Sequence, residues 1–267
     1  MDQIGPKKKK KLRLTLCQLS PFVGGIEENL EKILKTLKTH NDSSDLILFP
    51  ELFLCGYPCD DLLLRPSFLK DCDKALVFLR KNLSKAKVLL GHPLLGEDKK
   101  LFNVVSLFDG QNPAAVYAKQ SLPNQEVFDE KRYFTEGRKS FVFELENLKF
   151  GVCICEDVWQ TKAIVETVKA GAEVILIFNA SPYSCGKYEK RLSLVKTLAA
   201  KHKICLLYLN MVGGHDEMVF DGGSFVVSSK AELILQMSFF KEEVRREIIS
   251  RFNEQKLYDS GLTIMTT

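Results

Sequence analysis

Short apolar runs alternating with amphipathic helical stretches constrain this chain more than any other feature. Leu12 to Leu19 reads as a first strand, and Gly24 and Gly25 break it. From Glu27 to His40, Ile26, Leu30, Ile33, Leu34 and Leu37 fall at helical spacing with charges between them. A polar turn at Asn41 to Ser44 leads into Asp45 to Phe49, a short continuous apolar run. A strand, a helix and a second strand in that order predict a parallel pair with a right-handed crossover.

The alternation continues. Phe68 to Leu83 has helical period, Lys87 to His92 forms a third strand, and Asn103 to Phe108 with Ala115 to Ala118 forms a pair turned at Asp109-Gly110. Ser140 to Leu145 and Leu148 to Cys155 make a second pair. Thr161 to Lys169 is a helix closed by Gly171, Glu173 to Phe178 a buried strand, Lys187 to His202 a helix and Ile204 to Asn210 a strand. Gly213-Gly214 and Gly222-Gly223 frame HDEMVFD, and Ser224 to Val227 with Leu233 to Gln236 close the series. Strands alternating with helices, interrupted by antiparallel pairs, predict an α/β fold: a four-layer α-β-β-α sandwich of two mixed sheets.

Neither a repeat nor a linker divides the 267 residues, so one domain over 12–240 is expected, with a basic tail at 1–11 and a charged extension at 241–267 that crosses to a partner or to another part of the surface. No apolar run approaches the roughly 18 residues of a membrane helix. The basic start is not followed by an apolar segment of signal-peptide length. Several of the eight cysteines (Cys17, Cys153, Cys155, Cys205) lie inside strand-like runs, as in reduced cytoplasmic proteins, rather than in a disulfide framework. Cys55 and Cys59 lack a second pair at ligand spacing and the four histidines are scattered, which argues against a metal. Much of the net charge of +4 sits in Lys7 to Lys11, and the remainder carries no basic-aromatic stripe, so neither nucleic acid nor a membrane is an expected partner.

The chemistry-bearing residues cluster at strand ends. Gly151 to Gln160, GVCICEDVWQ, delivers Cys155 to the carboxyl end of a buried strand, the edge at which α/β sheets place ligands. Unassisted, Cys155 is equally a small core hydrophobe. Glu51 ends the second strand within FPEL, Lys119 ends another, and Glu130 lies in the aperiodic stretch Gln120 to Arg138. An insertion of that length is usually functional. A cysteine nucleophile needs a base or a cationic neighbour. Two arrangements remain open: Cys155 with His202 or His215 recruited through the fold, or a glutamate base with a lysine that stabilises an oxyanion. Along the strand, a regular pleat would point Cys153 to the same side as Cys155, only deeper.

FPEL, the lysine of AKQSLPN and ICEDVW, in that order, resemble the Glu-Lys-Cys triad of the nitrilase (carbon-nitrogen hydrolase) superfamily. More narrowly, KQSLPNQEVFDEKRYF, GVCICEDVW, NASPY followed by GK, and VGGHDEMVFDGGS resemble the glutaminase domain of glutamine-dependent NAD synthetase. The resemblance implies Glu51 as general base, Lys119 as oxyanion-stabilising lysine, and Cys155 as the nucleophile of a γ-glutamyl thioester. It further implies Glu130 as the second glutamate, and the backbone N–H of Glu156 as a further oxyanion donor. Tyr57 becomes a pocket wall, and Ser181 and Lys187 match positions holding the glutamine α-amino and α-carboxylate groups. Gln125 stands where the family usually has an aromatic tyrosine, and His215 where it has glutamine. The DGGS at Asp221 to Ser224 is not the phosphate-cradling SGGxDS loop of the synthetase half. No cofactor is therefore expected on this chain. ATP and deamido-NAD would belong to a separate NAD synthetase subunit that receives the ammonia. The resemblance also implies a homo-oligomer. Hydrolysis of another small linear ω-amide, or a catalytically silent regulatory subunit, are the other readings.

Overall fold

A computed structural model describes residues 11–83, 85–110, 115–125, 127–250 and 263–266. The basic tail lies outside the described residues apart from the backbone of Lys11. In chain order the elements are β1 (Lys11–Gln18), α1 (Ile26–His40), β2 (Leu46–Leu48), α2 (Pro66–Lys81), β3 (Lys87–Leu95), β4 (Leu101–Phe108) and β5 (Ala115–Ala118). There follow α3 (Glu130–Tyr133), β6 (Phe141–Leu145), β7 (Leu148–Ile154), α4 (Glu156–Gln160), α5 (Lys162–Lys169), β8 (Val174–Asn179) and α6 (Lys187–His202). The last are β9 (Cys205–Asn210), β10 (Val212–His215), β11 (Met218–Asp221), β12 (Phe225–Val227), β13 (Leu233–Gln236), β14 (Glu243–Ser250) and β15 (Thr263–Thr266).

Two mixed sheets result. One runs β15-β14-β1-β2-β3-β4-β5 and the other β13-β12-β9-β8-β7-β6, with β10-β11 as a separate hairpin. The expected parallel pairing holds: β1 pairs parallel with β2, and β2 with β3, while β7, β8 and β9 form the parallel centre of the other sheet. Burial on both faces explains the continuous apolar strands. Leu46 and Leu48 point between the sheets, where they join Leu14, Leu16, Val152, Ile154, Leu176 and Leu207. Ile47 points outward to meet Ile33 and Leu37 of α1 and Leu76 and Leu79 of α2. On the far side, Ile175, Ile177 and Leu206 pack against Ile164 of α5 and against Val195 and Leu198 of α6. The layers are α-β-β-α.

Two local expectations fail, and one segment left unassigned acquires structure. The stretch after residue 240 is not a separate extension. Glu243–Ser250 pairs antiparallel with all of β1, from Lys11↔Ser250 to Gln18↔Glu243. An uncovered β1 would be an open edge of unpaired backbone groups, and β14 covers it. Its charged sequence, EVRREIIS, conceals the strand from a periodicity reading. The HDEMVFD segment, which sequence left without an assigned structure, belongs to a hairpin with Val212↔Asp221 and His215↔Met218 in register. Lastly, Cys153 and Cys155 do not share a side. Cys153 faces the α5–α6 layer, whereas Cys155 belongs to the core between the sheets. β7 ends at Ile154, and Cys155 takes φ +42° and ψ −98°, so the pleat no longer governs its direction.

Candidate active site

The carboxyl ends of β2, β5 and β7 converge. Glu51 follows β2 after Phe49 and Pro50, and Phe49 still donates its N–H to Leu89 O at 2.8 Å. Lys119 follows β5, with its N–H on Asn103 O of β4 at 2.9 Å. Glu130 opens α3 inside the long insertion, and its N–H reaches Pro123 O at 3.2 Å. Cys155 sits at the sharp turn from β7 into α4. A non-glycine residue at φ +42° costs of order 1–3 kcal/mol, and such outliers concentrate where function demands them.

Lys119 is the hub. Its Nζ donates to Glu51 Oε1 and to Glu130 Oε1, each at 2.7 Å, and all three side chains are buried. Asn103 Nδ2 donates to Glu51 Oε1 at 2.8 Å, and the Ala180 N–H donates to Glu51 Oε2 at 2.9 Å. The Tyr57 hydroxyl donates to Glu130 Oε1 at 2.9 Å. Glu130 Oε2 is buried and takes no hydrogen bond from the described residues.

These contacts decide the protonation states. Burial pushes the Lys119 ammonium towards neutrality, but the Glu130 and Glu51 carboxylates outweigh it and raise its pKa well above that of ordinary lysine. Burial raises Glu130 to about 7; Lys119 opposes the rise and Glu51 adds to it. Burial also pushes the Cys155 thiol up, with the Glu51 charge adding and Lys119 opposing. The thiol is therefore protonated at neutral pH, and attack by sulfur requires a base that accepts the proton during the step. His202 ends α6 and His215 Nε2 lies 3.3 Å from Asp216 Oδ2 on the hairpin, while the charges acting most on the thiol are Glu51, Lys119 and Glu130. The geometry favours the glutamate-lysine arrangement over a Cys-His pair.

The other expected residues fall at different depths. Ser181 is buried, its N–H on Asn210 Oδ1 at 2.9 Å. Lys187 starts α6 half-buried, its Nζ 5.9 Å from the centre of the Trp159 ring. The Glu156 side chain accepts a hydrogen bond from Gln160 Nε2 at 2.9 Å. Gln125 is exposed, and its neighbour 126 lies outside the described residues. Sequence reasoning missed Asn103, Asp157 and the buried pair of Arg191 and Asp221, joined at 2.7 Å. Arg191 Nη2 also donates to Ser181 O at 3.0 Å and Pro182 O at 2.8 Å, which holds the loop carrying Ser181. A signal existed. Arg191 shares the inward helical face of Val195 and Leu198, and Asn103 interrupts an apolar strand.

Among the described residues, no group of three or more His, Cys, Asp or Glu could hold a metal ion, and no helix is long and apolar enough to cross a membrane. The carbon-nitrogen hydrolase family model matches residues 13–251, and the chain belongs to that family. It is 38% identical over 251 residues to the glutamine-dependent NAD(+) synthetase of Acinetobacter baylyi, which covers 93% of this chain and 46% of that protein. The Thermotoga maritima enzyme of the same name is 41% identical over 238 residues, covering 88% of this chain and 41% of its own. Among solved structures, the glutamine-dependent NAD+ synthetase of Acinetobacter baumannii superposes with a TM-score of 0.89 at 34% identity, covering 97% of this chain and 48% of that one. An amidase of the nitrilase superfamily from Nesterenkonia shares the fold over 96% of both chains, with a TM-score of 0.78 at 20% identity. The chain thus spans less than half the length of the synthetases it matches, and corresponds to their nitrilase-like glutaminase part.

Proposed function

We propose that this chain hydrolyses the side-chain amide of L-glutamine to glutamate and ammonia through a thioester on Cys155. The observation that carries it is the Lys119 ammonium bridging Glu51 and Glu130 at 2.7 Å, with its charge acting on a protonated thiol. Glu51 accepts the Cys155 proton as sulfur attacks the amide carbon. Lys119 and the Glu156 N–H stabilise the oxyanion. The carbon–nitrogen bond breaks, and the departing nitrogen takes the proton from Glu51 and leaves as ammonia. Water then gives a proton to Glu51 as its oxygen attacks the thioester; glutamate leaves and the proton returns to sulfur. Glu130 orients Lys119 and the amide, and Tyr57 holds Glu130. Ser181 and Lys187 receive the α-amino and α-carboxylate groups. The names of the relatives support an NAD synthetase as the consumer of the ammonia, with ATP and deamido-NAD bound there. The exposed Gln125, without an aromatic face, favours a second reading in which the substrate is another small linear ω-amide.

Incubation with L-glutamine, with and without a purified NAD synthetase, followed by assay of glutamate and ammonia, tests this. Release should fall at least about a thousandfold in Cys155→Ala. Full activity in that variant refutes the mechanism. Turnover of other ω-amides with glutamine inert establishes the second reading instead.

A further inference from the structure

The wholly buried Asp157 carboxylate takes no part in the chemistry above, yet it accepts four hydrogen bonds. Its Oδ1 receives the N–H groups of Gln120 at 3.0 Å and Ser121 at 2.8 Å. Its Oδ2 receives the Tyr117 hydroxyl at 2.8 Å and the Ile154 N–H at 2.9 Å. Three of these donors bracket Lys119 at the edge of one sheet. The fourth, with Asp157 itself, brackets Cys155 in the other. We propose that Asp157 is a positioning residue that locks the lysine-bearing segment of one sheet to the cysteine turn of the other and so sets the Lys119–Cys155 geometry. The inference depends on the reading above of Cys155 as nucleophile and Lys119 as its oxyanion partner.

Helix initiation does not account for Asp157. It is the second residue of α4, and a carboxylate that served only to start that helix would accept N–H groups from inside it. None of the four donors lies in α4. Nor is the carboxylate interchangeable with an amide. An ionised carboxylate offers about four acceptor sites and no donor, and all are used here. An asparagine would turn its NH2 group either towards the N–H groups of Gln120 and Ser121 or, in the less costly orientation, towards the N–H of Ile154, where the Tyr117 hydroxyl can rotate to accept. Backbone N–H groups cannot rotate away, so the segments must separate. Tyr117 adds rigidity from the other side. Its ring is wholly buried between the sheets, and its hydroxyl is spent on Asp157. Separation of the segments would carry Lys119 away from the thiol and strain its bonds to Glu51 and Glu130, with none of the three catalytic side chains substituted.

The test uses Asp157→Asn and Tyr117→Phe in the full chain, with three readouts: kcat and KM for glutamine, the rate constant for Cys155 alkylation by iodoacetamide, and the thermal midpoint. Cys185, an exposed free cysteine, serves as internal reference for alkylation by peptide mass spectrometry. A misplacement of about 1 Å costs roughly a hundredfold. Asp157→Asn should therefore lose about a hundredfold in kcat, with KM within about threefold. Cys155 alkylation should slow about tenfold relative to Cys185, because a thiolate is favoured by a nearby cation. Tyr117→Phe keeps three of the four bonds and should lose about tenfold in kcat. Partial unfolding would lower the amplitude of each signal but not the alkylation rate constant of the folded fraction. An Asp157→Asn protein with wild-type kcat and alkylation rate overturns the proposal. If that variant does not fold, wild-type values for Tyr117→Phe overturn it. Should glutamine be inert with the wild-type chain, the substrate assignment fails, while the alkylation comparison still decides the role of Asp157.

Discussion

Gly91→Ala should inactivate the site without touching any group proposed to do chemistry. Gly91 lies in β3 opposite Val105, against the turn that carries Glu51. An added Cβ would lie 2.3 Å from Pro50 O, 2.4 Å from Leu52 N and 2.7 Å from Glu51 Cα. All three are backbone atoms, and none can swing aside. Ordinary contact begins at 3.4 Å, so the Glu51 turn must retreat by about 1 Å. Glu51 is held by Lys119, Asn103 and the Ala180 N–H at 2.7 to 2.9 Å, bonds that a retreat of that size breaks or bends. A 1 Å misplacement of a reacting group costs about a hundredfold in kcat. Overpacking costs about 1–3 kcal/mol of stability, and each kcal/mol lowers the thermal midpoint by about 2–4 °C in a domain of this size. Steady-state glutamine hydrolysis and a thermal melt measure both. Gly96→Ala is the control, because its nearest neighbours are the side-chain ends of Asp98 at 3.0 Å and Phe102 at 3.2 Å, which can move. A Gly91→Ala protein with kcat within about threefold of wild type would refute the claim that backbone packing at β3 places Glu51.

Two further perturbations follow from buried charge. Folded Glu130 keeps its proton to about pH 7, whereas the unfolded chain releases it near 4.5, so wild-type stability should fall as pH rises through that window. Asp157, raised by burial from 3.8 to about 6, adds to the lower part of the fall. Urea midpoints at several pH values should therefore show a shallower decline above pH 6 in Glu130→Gln, and an unchanged slope would count against a raised Glu130. Arg191→Met leaves Asp221 buried and uncompensated, which should cost about 3–5 kcal/mol. Its thermal midpoint should lie below that of the double variant Arg191→Met, Asp221→Leu, in which no lone charge remains.

Much of the architecture was legible because burial writes itself into local sequence. Asp45 to Phe49 and Glu173 to Phe178 are apolar without alternation, since both faces of those strands are covered, and α1 shows its single buried stripe at Ile26, Ile33 and Leu37. Glu51, Lys119 and Cys155 could be placed at strand ends because the strands stop there. The strand Glu243–Ser250 was not legible. Its charged residues obey the demand of β1 for a partner rather than a pattern of their own. The β10–β11 hairpin was not legible either, because HDEMVFD between its glycine pairs shows no strand alternation.

The sequence alone therefore determined the layers, the strand ends and the residue types gathered there, all of which depend on neighbours a few positions away. Only the tertiary structure decided which groups meet. Lys119 and Glu51 stand 68 positions apart and touch at 2.7 Å. Asp157 binds Gln120 from 37 positions away, and Arg191 finds Asp221 across 30. Charge pairing and pKa depend on distance and burial in space, and those exist only once the two sheets have closed on one another.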